Sequence, residues 1–389
     1  MKVLLVGSLC DDKWIGSLLR ELKKVSSIEF DFFHIVVSDR KLSEASKLCD
    51  NVFYVNKHFP SILYVNSKIS YLLSLLDVPI SIKEFTTLQQ KNNIRYDVVN
   101  IHYPQNKVLR CWKEWKLISK SIIITPWGSE VLRISNFSKR LMACYVSHYD
   151  YIMSSDNVRF RNQLKDILHI PDNKFLSCDF GSEMIDEICS NSLISNKDAK
   201  KHFGIDDNYA IVCGYNAGVA QNHIKIIDSL MSVRKSLPHN FVVILPMTYN
   251  GTAAYIKEVD DRLTNYNIRH VILTNYMSNA EMVYLRKCAD MFIHAQDTDA
   301  NSVSLAEHLL CNNTVVNASW LRYANREAFG IPYYLFDSFD DLPAIIVKAY
   351  NGGSLVSKKL IDSISEEGWS VVSNKWIEIF KNVSKCSDK

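Results

Sequence analysis

Residues 297–317 read DTDANSVSLAEHLLCNNTVVN. Small polar residues lead into an apolar run of helical spacing. A break at Cys311-Asn312-Asn313 follows, and then a short apolar strand. This is the loop, helix and strand of one α/β unit. Backbone N–H groups at the start of such a helix have no partner within it and favour a phosphate. Asn301, Ser302 and Ser304 line that start. Asp299 stands eight positions before Glu307. Glu307, one turn in, could accept hydrogen bonds from ribose hydroxyls. Ser304 and Glu307 also have the Ser-x-x-Glu spacing of a capping box, which needs no ligand. Both readings are open.

The same alternation extends in both directions from this stretch. Strand candidates in the first half are residues 2–7, 31–37, 52–55, 97–102, 121–125 and 151–154. In the second half they are 210–213, 241–245, 270–273, 291–294, 314–317 and 333–335. Near-continuous apolar strands separated by helices indicate parallel sheets covered on both faces. Repeated twice, the pattern predicts two doubly wound, Rossmann-like α/β domains facing a cleft. Residues 181–208 are polar and lack strand character, so the boundary is set at 190/191. The last helix, with Trp369 and Trp376, is expected to cross back to the first domain.

A length of 389 residues suits two domains, and 47% hydrophobic with 22% charged residues describes a globular protein with ample core. The opening VLLVG is too short for a signal h-region and runs into Asp11-Asp12. No segment approaches the length of a membrane span. Ten cysteines without Cys-x-x-Cys spacing indicate neither zinc nor a disulfide framework. The expected location is the cytoplasm. A net charge of +3 does not suggest nucleic acid. Yet between Lys107 and Arg140 the bases Lys107, Arg110, Lys113, Lys116, Lys120, Arg133, Lys139 and Arg140 meet only Glu114 and Glu130, with Trp112, Trp115 and Trp127 interleaved. Such a stretch suits an anionic membrane surface or a phosphorylated lipid carrier. A solvated helix face with core tryptophans is the plainer account.

Ligands of open parallel sheets bind beyond the carboxyl ends of the strands. The first strand ends at Gly7 without the Gly-x-Gly-x-x-Gly of dinucleotide binding. Its loop suits an acceptor, with Trp14 on that side and Asp11 a candidate base, although surface acids are common in turns. The fourth strand ends NIHYP, placing His102 where a base or sugar ligand would stand. The fifth runs into ITPWGSEVL. Its Pro-x-Gly turn aims Trp127 and Glu130 toward the same edge. In the second half, Gly214 and Gly218 of GYNAGVAQNHIKIIDSL allow a loop to approach a ligand closely. Asn216, Asn222 and Lys225 follow there, with Lys225 placed to meet a diphosphate. Tyr249 lies in LPMTYNGTAAYIKEV. Asp297-Thr298-Asp299 has the Asp-x-Asp form of a divalent-metal site, but two carboxylates are few for magnesium. No metal or other cofactor is expected.

Asp299 and Glu307 resemble the "acidic, seven residues, Glu" signature of family 4 GT-B glycosyltransferases. NIHYP and ITPWGSEVL resemble that family's acceptor lobe, with Glu130 where Asp is usual and Trp127 in a place often held by His. GYNAGVAQNHIKIIDSL, LPMTYNGTAAYIKEV and VVNASWLRYANREAFGIPYYLF resemble family 56 transferases. Those move 4-acetamido-4,6-dideoxygalactose (Fuc4NAc) from a thymidine diphosphate donor to a lipid-linked disaccharide. The resemblance implies a nucleotide-sugar-dependent hexosyl or deoxyaminohexosyl transferase of bacterial surface polysaccharide synthesis, O-antigen or capsule. It would be peripheral on the inner membrane face, with a lipid-linked or oligosaccharide acceptor. The helix start at Ser302–Ser304 with Lys225 would stabilise charge on the leaving diphosphate. If the anomeric centre inverts, the base candidates are His102, Glu130 and Asp11, in that order. If configuration is retained, no base is needed. Two other readings remain: a non-catalytic sugar-nucleotide or glycan-binding subunit of this fold, and a GT-B-like epimerase.

Overall fold

The computed structural model describes residues 1–10, 12–37, 42–155, 158–299 and 301–386. The chain forms two units, Met1–Gly181 with Trp369–Lys389, and Ser182–Gly368.

The first unit is built on strands β1 (Lys2–Gly7), β2 (Glu29–His34), β3 (Asn51–Tyr54), β4 (Tyr96–His102), β5 (Ser119–Thr125), β6 (Tyr151–Ser154) and β7 (Phe175–Ser177). They lie in the order β3-β2-β1-β4-β5-β6-β7. Every pairing is parallel. Strand side chains alternate between faces, and both faces are covered, which is why the strands read as unbroken apolar runs. Leu4, Val6, Phe33, Ile101 and Ile124 join Trp115 on one side. Val3, Leu5, Phe30, Phe32 and Ile123 join Trp376 and Phe380 on the other. The helices Ser17–Val25 and Trp369–Cys386 cover this second face. The last helix therefore completes the core of the first unit.

The second unit repeats the plan with β8 (Tyr209–Cys213), β9 (Phe241–Pro246), β10 (His270–Leu273), β11 (Met291–His294), β12 (Thr314–Ala318) and β13 (Tyr334–Phe336). The order is β10-β9-β8-β11-β12-β13, again all parallel. In each sheet the winding reverses beside the first strand, between β1 and β4 and between β8 and β11.

Three features refine the sequence reading. The units divide at 181/182, within the 181–208 stretch and ahead of the 190/191 set there, because the helix Glu183–Ser190 buries Met184, Ile185 and Ile188 within the second unit. Strand β7 lay outside the expected set. It is three residues long and half-buried at the sheet edge, so it carries no apolar run. The tryptophans of the Lys107–Arg140 stretch turn inward: Trp115 is fully buried, Trp112 stacks on His148 at 4.0 Å, and Trp127 joins an aromatic cluster. Among the described residues, no helix is long and apolar enough to cross a membrane.

Candidate functional site

The carboxyl ends of β8 and β11 carry two loops that are sewn together. Gly214 N–H donates to Ile293 O at 3.1 Å, and Asp297 N–H donates to Ala220 O at 3.0 Å. Asn222, left-handed at φ 58°, donates its amide to Ala295 O at 2.9 Å and to Asp297 Oδ1 at 2.8 Å. Gln221 donates to Gln296 Oε1 at 2.7 Å, and the Tyr215 hydroxyl donates to the same oxygen. The loop after β9 closes on the first of these, with Ala217 N–H on Tyr249 O at 2.8 Å. Gly251 permits that contact, since a Cβ there would stand 2.3 Å from the Ala217 Cβ.

Asp299 sits inside this fabric. Its Oδ1 accepts from Asn301 N–H at 3.2 Å, and its Oδ2 lies 3.5 Å from Tyr215 Oη and 3.8 Å from His294 Nε2. The Asn317 amide nitrogen donates to Leu321 O at 2.6 Å, so its oxygen accepts from His294 Nδ1, 2.9 Å away. In the neutral imidazole this puts the proton on Nδ1 and leaves Nε2, on the Asp299 side, as the acceptor. Burial lowers the His294 pKa, with Asp299 and Asn317 opposing. The helix Val303–Leu310 begins here. Ser302 is its cap, accepting from Leu305 N–H at 3.2 Å. The Ser304/Glu307 capping box therefore does not form. Ser304 Oγ, Asn301 Oδ1 and His294 Nε2 are all buried without a hydrogen-bond partner among the described residues. Buried polar atoms are satisfied in the great majority of cases, so this gathering requires an explanation.

Glu307 is buried, and its Oε2 accepts from Arg286 Nε at 2.7 Å. Behind the pair, Arg286 Nη1 lies 3.3 Å from His308 Nε2. Asn313 Nδ2, 2.7 Å from His308 Nδ1, also donates to Arg286 O at 2.8 Å. Burial and the Arg286 charge hold the His308 pKa well below its usual value. Tyr249 is half-exposed, lies within electrostatic reach of Arg286, Glu307 and Asp299, and bonds to the Asn216 side chain.

The structure thus gathers Asn216, Tyr249, Asp299, Asn301, Ser302, Ser304 and Glu307 along one edge of the second unit. Asn222 is spent on stitching the loops. Lys225 is exposed, its ammonium 4.5 Å from the Phe339 ring centre. Arg286, His294, Tyr215, Gln221 and Gln296 escaped the sequence reading. The rule that selected His102 at a strand end selects His294 equally well. Arg286 replaces an apolar residue on the buried face of its helix, beside Val283 and Leu285.

In the first unit, the ends of β1, β4 and β5 meet an aromatic cluster. His102 is fully buried, with ring centres of Phe180, Trp376 and Trp127 at 5.8, 6.0 and 6.3 Å. Trp14 packs on Trp127 at 5.7 Å and reaches solvent. Neither His102 nitrogen has a partner among the described residues, and burial pushes its pKa down to about 3. His102, expected first among the base candidates, is walled in by rings, an environment closed to a substrate hydroxyl. Glu130 is also buried. One oxygen accepts from Trp127 N–H at 2.5 Å, while the other is unpartnered, and burial pushes its pKa up to about 7. Asp11 lies outside the described residues. Among those described, no three His, Cys, Asp or Glu side chains are grouped to hold a metal ion.

No family model and no curated protein matches this chain. Solved structures match over nearly its whole length. A glycosyltransferase from Rickettsia africae is 12% identical, with a TM-score of 0.70 over 98% of each chain. Anabaena HepE in complex with UDP is 13% identical, with a TM-score of 0.70 over 98% of this chain and 100% of that one. The lipopolysaccharide outer core galactosyltransferase WaaB is 11% identical, with a TM-score of 0.67 over the full length of both. The fold is GT-B. Likeness at this level of identity speaks to the fold, and the chemistry of this GT-B chain is argued from its own residues.

Proposed function

We propose that this GT-B protein is a glycosyltransferase. It moves a sugar from a nucleotide diphosphate sugar, held by the second unit, to a saccharide acceptor presented to the first. The observation that carries this reading is the edge beyond β8 and β11. There a helix N-terminus, two acids and a set of buried, unpartnered polar atoms converge. Helix N–H groups suit a diphosphate, and carboxylates suit ribose or sugar hydroxyls. The GT-B fold is compatible with this, and one such structure, HepE, holds UDP and glucose. Uridine donors are therefore the first to test.

In the first unit, Glu130 is the base if the anomeric centre inverts, since a pKa near 7 is matched to proton abstraction at neutral pH. The finer reading is hexosyl or deoxyaminohexosyl transfer to a lipid-linked acceptor, without a bound metal. This would occur in surface polysaccharide synthesis at the cytoplasmic membrane face, and it is supported by the sequence resemblances above.

A thermal-shift panel of uridine, thymidine, guanosine and cytidine diphosphate sugars tests donor binding, since a ligand of the folded state raises its melting temperature. Labelled-sugar transfer or slow hydrolysis with the best donor then separates an enzyme from a binding subunit. Indifference to every nucleotide sugar would sink the reading.

A further inference from the structure

The helix Ser67–Lys91 carries apolar residues on two sides. Its inner side seats Val78, Ile82 and Phe85 in the core. Its outer side shows Ile69, Leu72, Leu76 and Ile80 to solvent, each between 40% and 61% exposed. At about 100° per residue these four fall within roughly 80° of arc, forming one stripe. The preceding turn, Ser61–Tyr64, and the residue after it add Ile62 and Val65 at 75% and 80% exposed. Single exposed leucines are ordinary, whereas a continuous run marks an interaction surface.

The stripe is anchored. Tyr64 Oη donates to Asp77 Oδ2 at 2.5 Å and His58 N–H donates to Oδ1 at 3.1 Å, with Asp77 itself fully buried. Pro79 lacks an N–H, so Leu75 O loses its helical partner. The Arg110 guanidinium donates to that carbonyl at 2.5 Å. Lys107 donates to Ser74 Oγ at 3.1 Å and stands 6.0 Å from the Tyr71 ring centre. Ser74 and Tyr71 share the side of the helix that carries Val78, so Lys107 is held behind the stripe, whereas exposed Arg110 and exposed Lys68 place positive charge on its flank. Residues 57–76 contain no Asp or Glu.

We propose that this face docks on an anionic lipid surface. The aliphatic stripe enters the boundary between headgroups and acyl chains, and Lys68 and Arg110 meet the headgroup charge. Charge selects this occupant over a second copy of the chain, because a two-fold contact would set the same bases against each other. The proposed lipid-linked acceptor gives the docking its purpose, but the test requires no donor sugar.

Full-length protein is co-sedimented with vesicles of phosphatidylcholine alone or mixed with phosphatidylglycerol. Binding is expected only with the anionic lipid. Leu72→Glu/Leu76→Glu should weaken it by about tenfold or more, since two apolar contacts become repelled charges. Both positions are exposed, so the variant should melt as wild type does and keep its donor-induced thermal shift. Lys139→Glu/Arg140→Glu, on the helix Asn136–Val146, should bind vesicles as wild type does. Equal binding to neutral vesicles, no binding at all, or undiminished binding by the Leu72/Leu76 variant would overturn the proposal. So would a self-association in ultracentrifugation that the same variant abolishes, because the occupant would then be a second copy.

Discussion

Glu307→Gln separates the ligand role of this residue from its structural role. Glu307 and Arg286 are both nearly inaccessible, their side chains 7% and 3% exposed, and meet at 2.7 Å. Deleting one partner of a buried pair costs about 3–5 kcal/mol, because the other charge is left uncompensated. Glutamine keeps an oxygen for Arg286 Nε and removes only the charge. The expected loss is that of a charge-assisted bond, about 1–3 kcal/mol. In a unit of this size each kcal/mol moves the melting temperature by about 2–4 °C, so the free variant should melt roughly 2–12 °C lower. Arg286→Gln should cost at least as much. The double variant should cost less than the sum of the two, which a double-mutant cycle would register. Donor affinity should fall by a further 1–3 kcal/mol, about 5- to 150-fold, read as a smaller ligand-induced shift at fixed donor concentration. A variant that melts lower but keeps the full shift would confine Glu307 to the core. One that melts within about 1 °C of wild type would refute the account of the pair itself.

Ser304→Ala removes a buried hydroxyl that lacks a protein partner, so free stability should hold or rise slightly while donor affinity drops by about 0.5–1.5 kcal/mol in titration calorimetry. Glu130, pushed up to about 7 from 4.5, keeps in the folded state a proton that the unfolded chain releases. Its contribution to stability therefore declines as pH rises from about 4.5 to 7, by about 3 kcal/mol in all. In denaturant midpoints, Glu130→Gln should exceed wild type above pH 7 and match it below about pH 4.5, and turnover that depends on Glu130 as base should rise through pH 7 only in wild type. His34, His102 and His223 are depressed from 6.5 to about 4, 3 and 4, so stability should fall as acid protonates them preferentially in the unfolded chain, from pH 6.5 down to about 3. Gly251→Ala should lower the melting point, since its Cβ meets Ala217 O at 2.5 Å and overpacking costs about 1–3 kcal/mol.

The sheets were legible because a strand buried on both faces must be apolar throughout. Such runs at β1, β4, β5, β8, β9 and β11 admit few other readings. The unit boundary was harder. The helix Glu183–Ser190 places Met184, Ile185 and Ile188 on one side and polar residues on the other, so by composition it resembles a linker. On the donor edge, spacing located the Asp299 and Glu307 pair but mistook the cap by two residues, since Ser302 and Ser304 both suit a helix start. Arg286 was invisible for a different reason. Its partner is distant in sequence, and only the packing of its helix on Val303–Leu310 brings the charges together. The tryptophans misled because surface and core tryptophans look alike in sequence. The exposed stripe was hidden because its helix is apolar on two sides around Pro79, which leaves no single amphipathic period to find.

In both units, unsatisfied polar atoms collect where the winding of the sheet reverses. Trp127 and Glu130 hold such atoms in the first unit, where His102 is shut off by rings, and His223, His294, Asn301 and Ser304 in the second. Each buried atom without a partner costs on the order of 1–3 kcal/mol. A sequence selected for stability alone would fill these positions with aliphatic side chains of like volume, as it does one or two residues away at Ile101, Val131, Ile293 and Leu305. Hydrogen-bonding capacity left unspent at a strand end is what a ligand's hydroxyls and phosphates can use. Binding would then recover free energy that the free fold gives up. The two edges differ in kind. The second offers neutral donors and acceptors around two acids, suited to holding a polar ligand. The first offers a carboxyl group poised near neutrality among aromatic rings, suited to moving a proton beside an apolar sugar face. That difference supports the proposed division, with the donor on the second unit and the acceptor on the first.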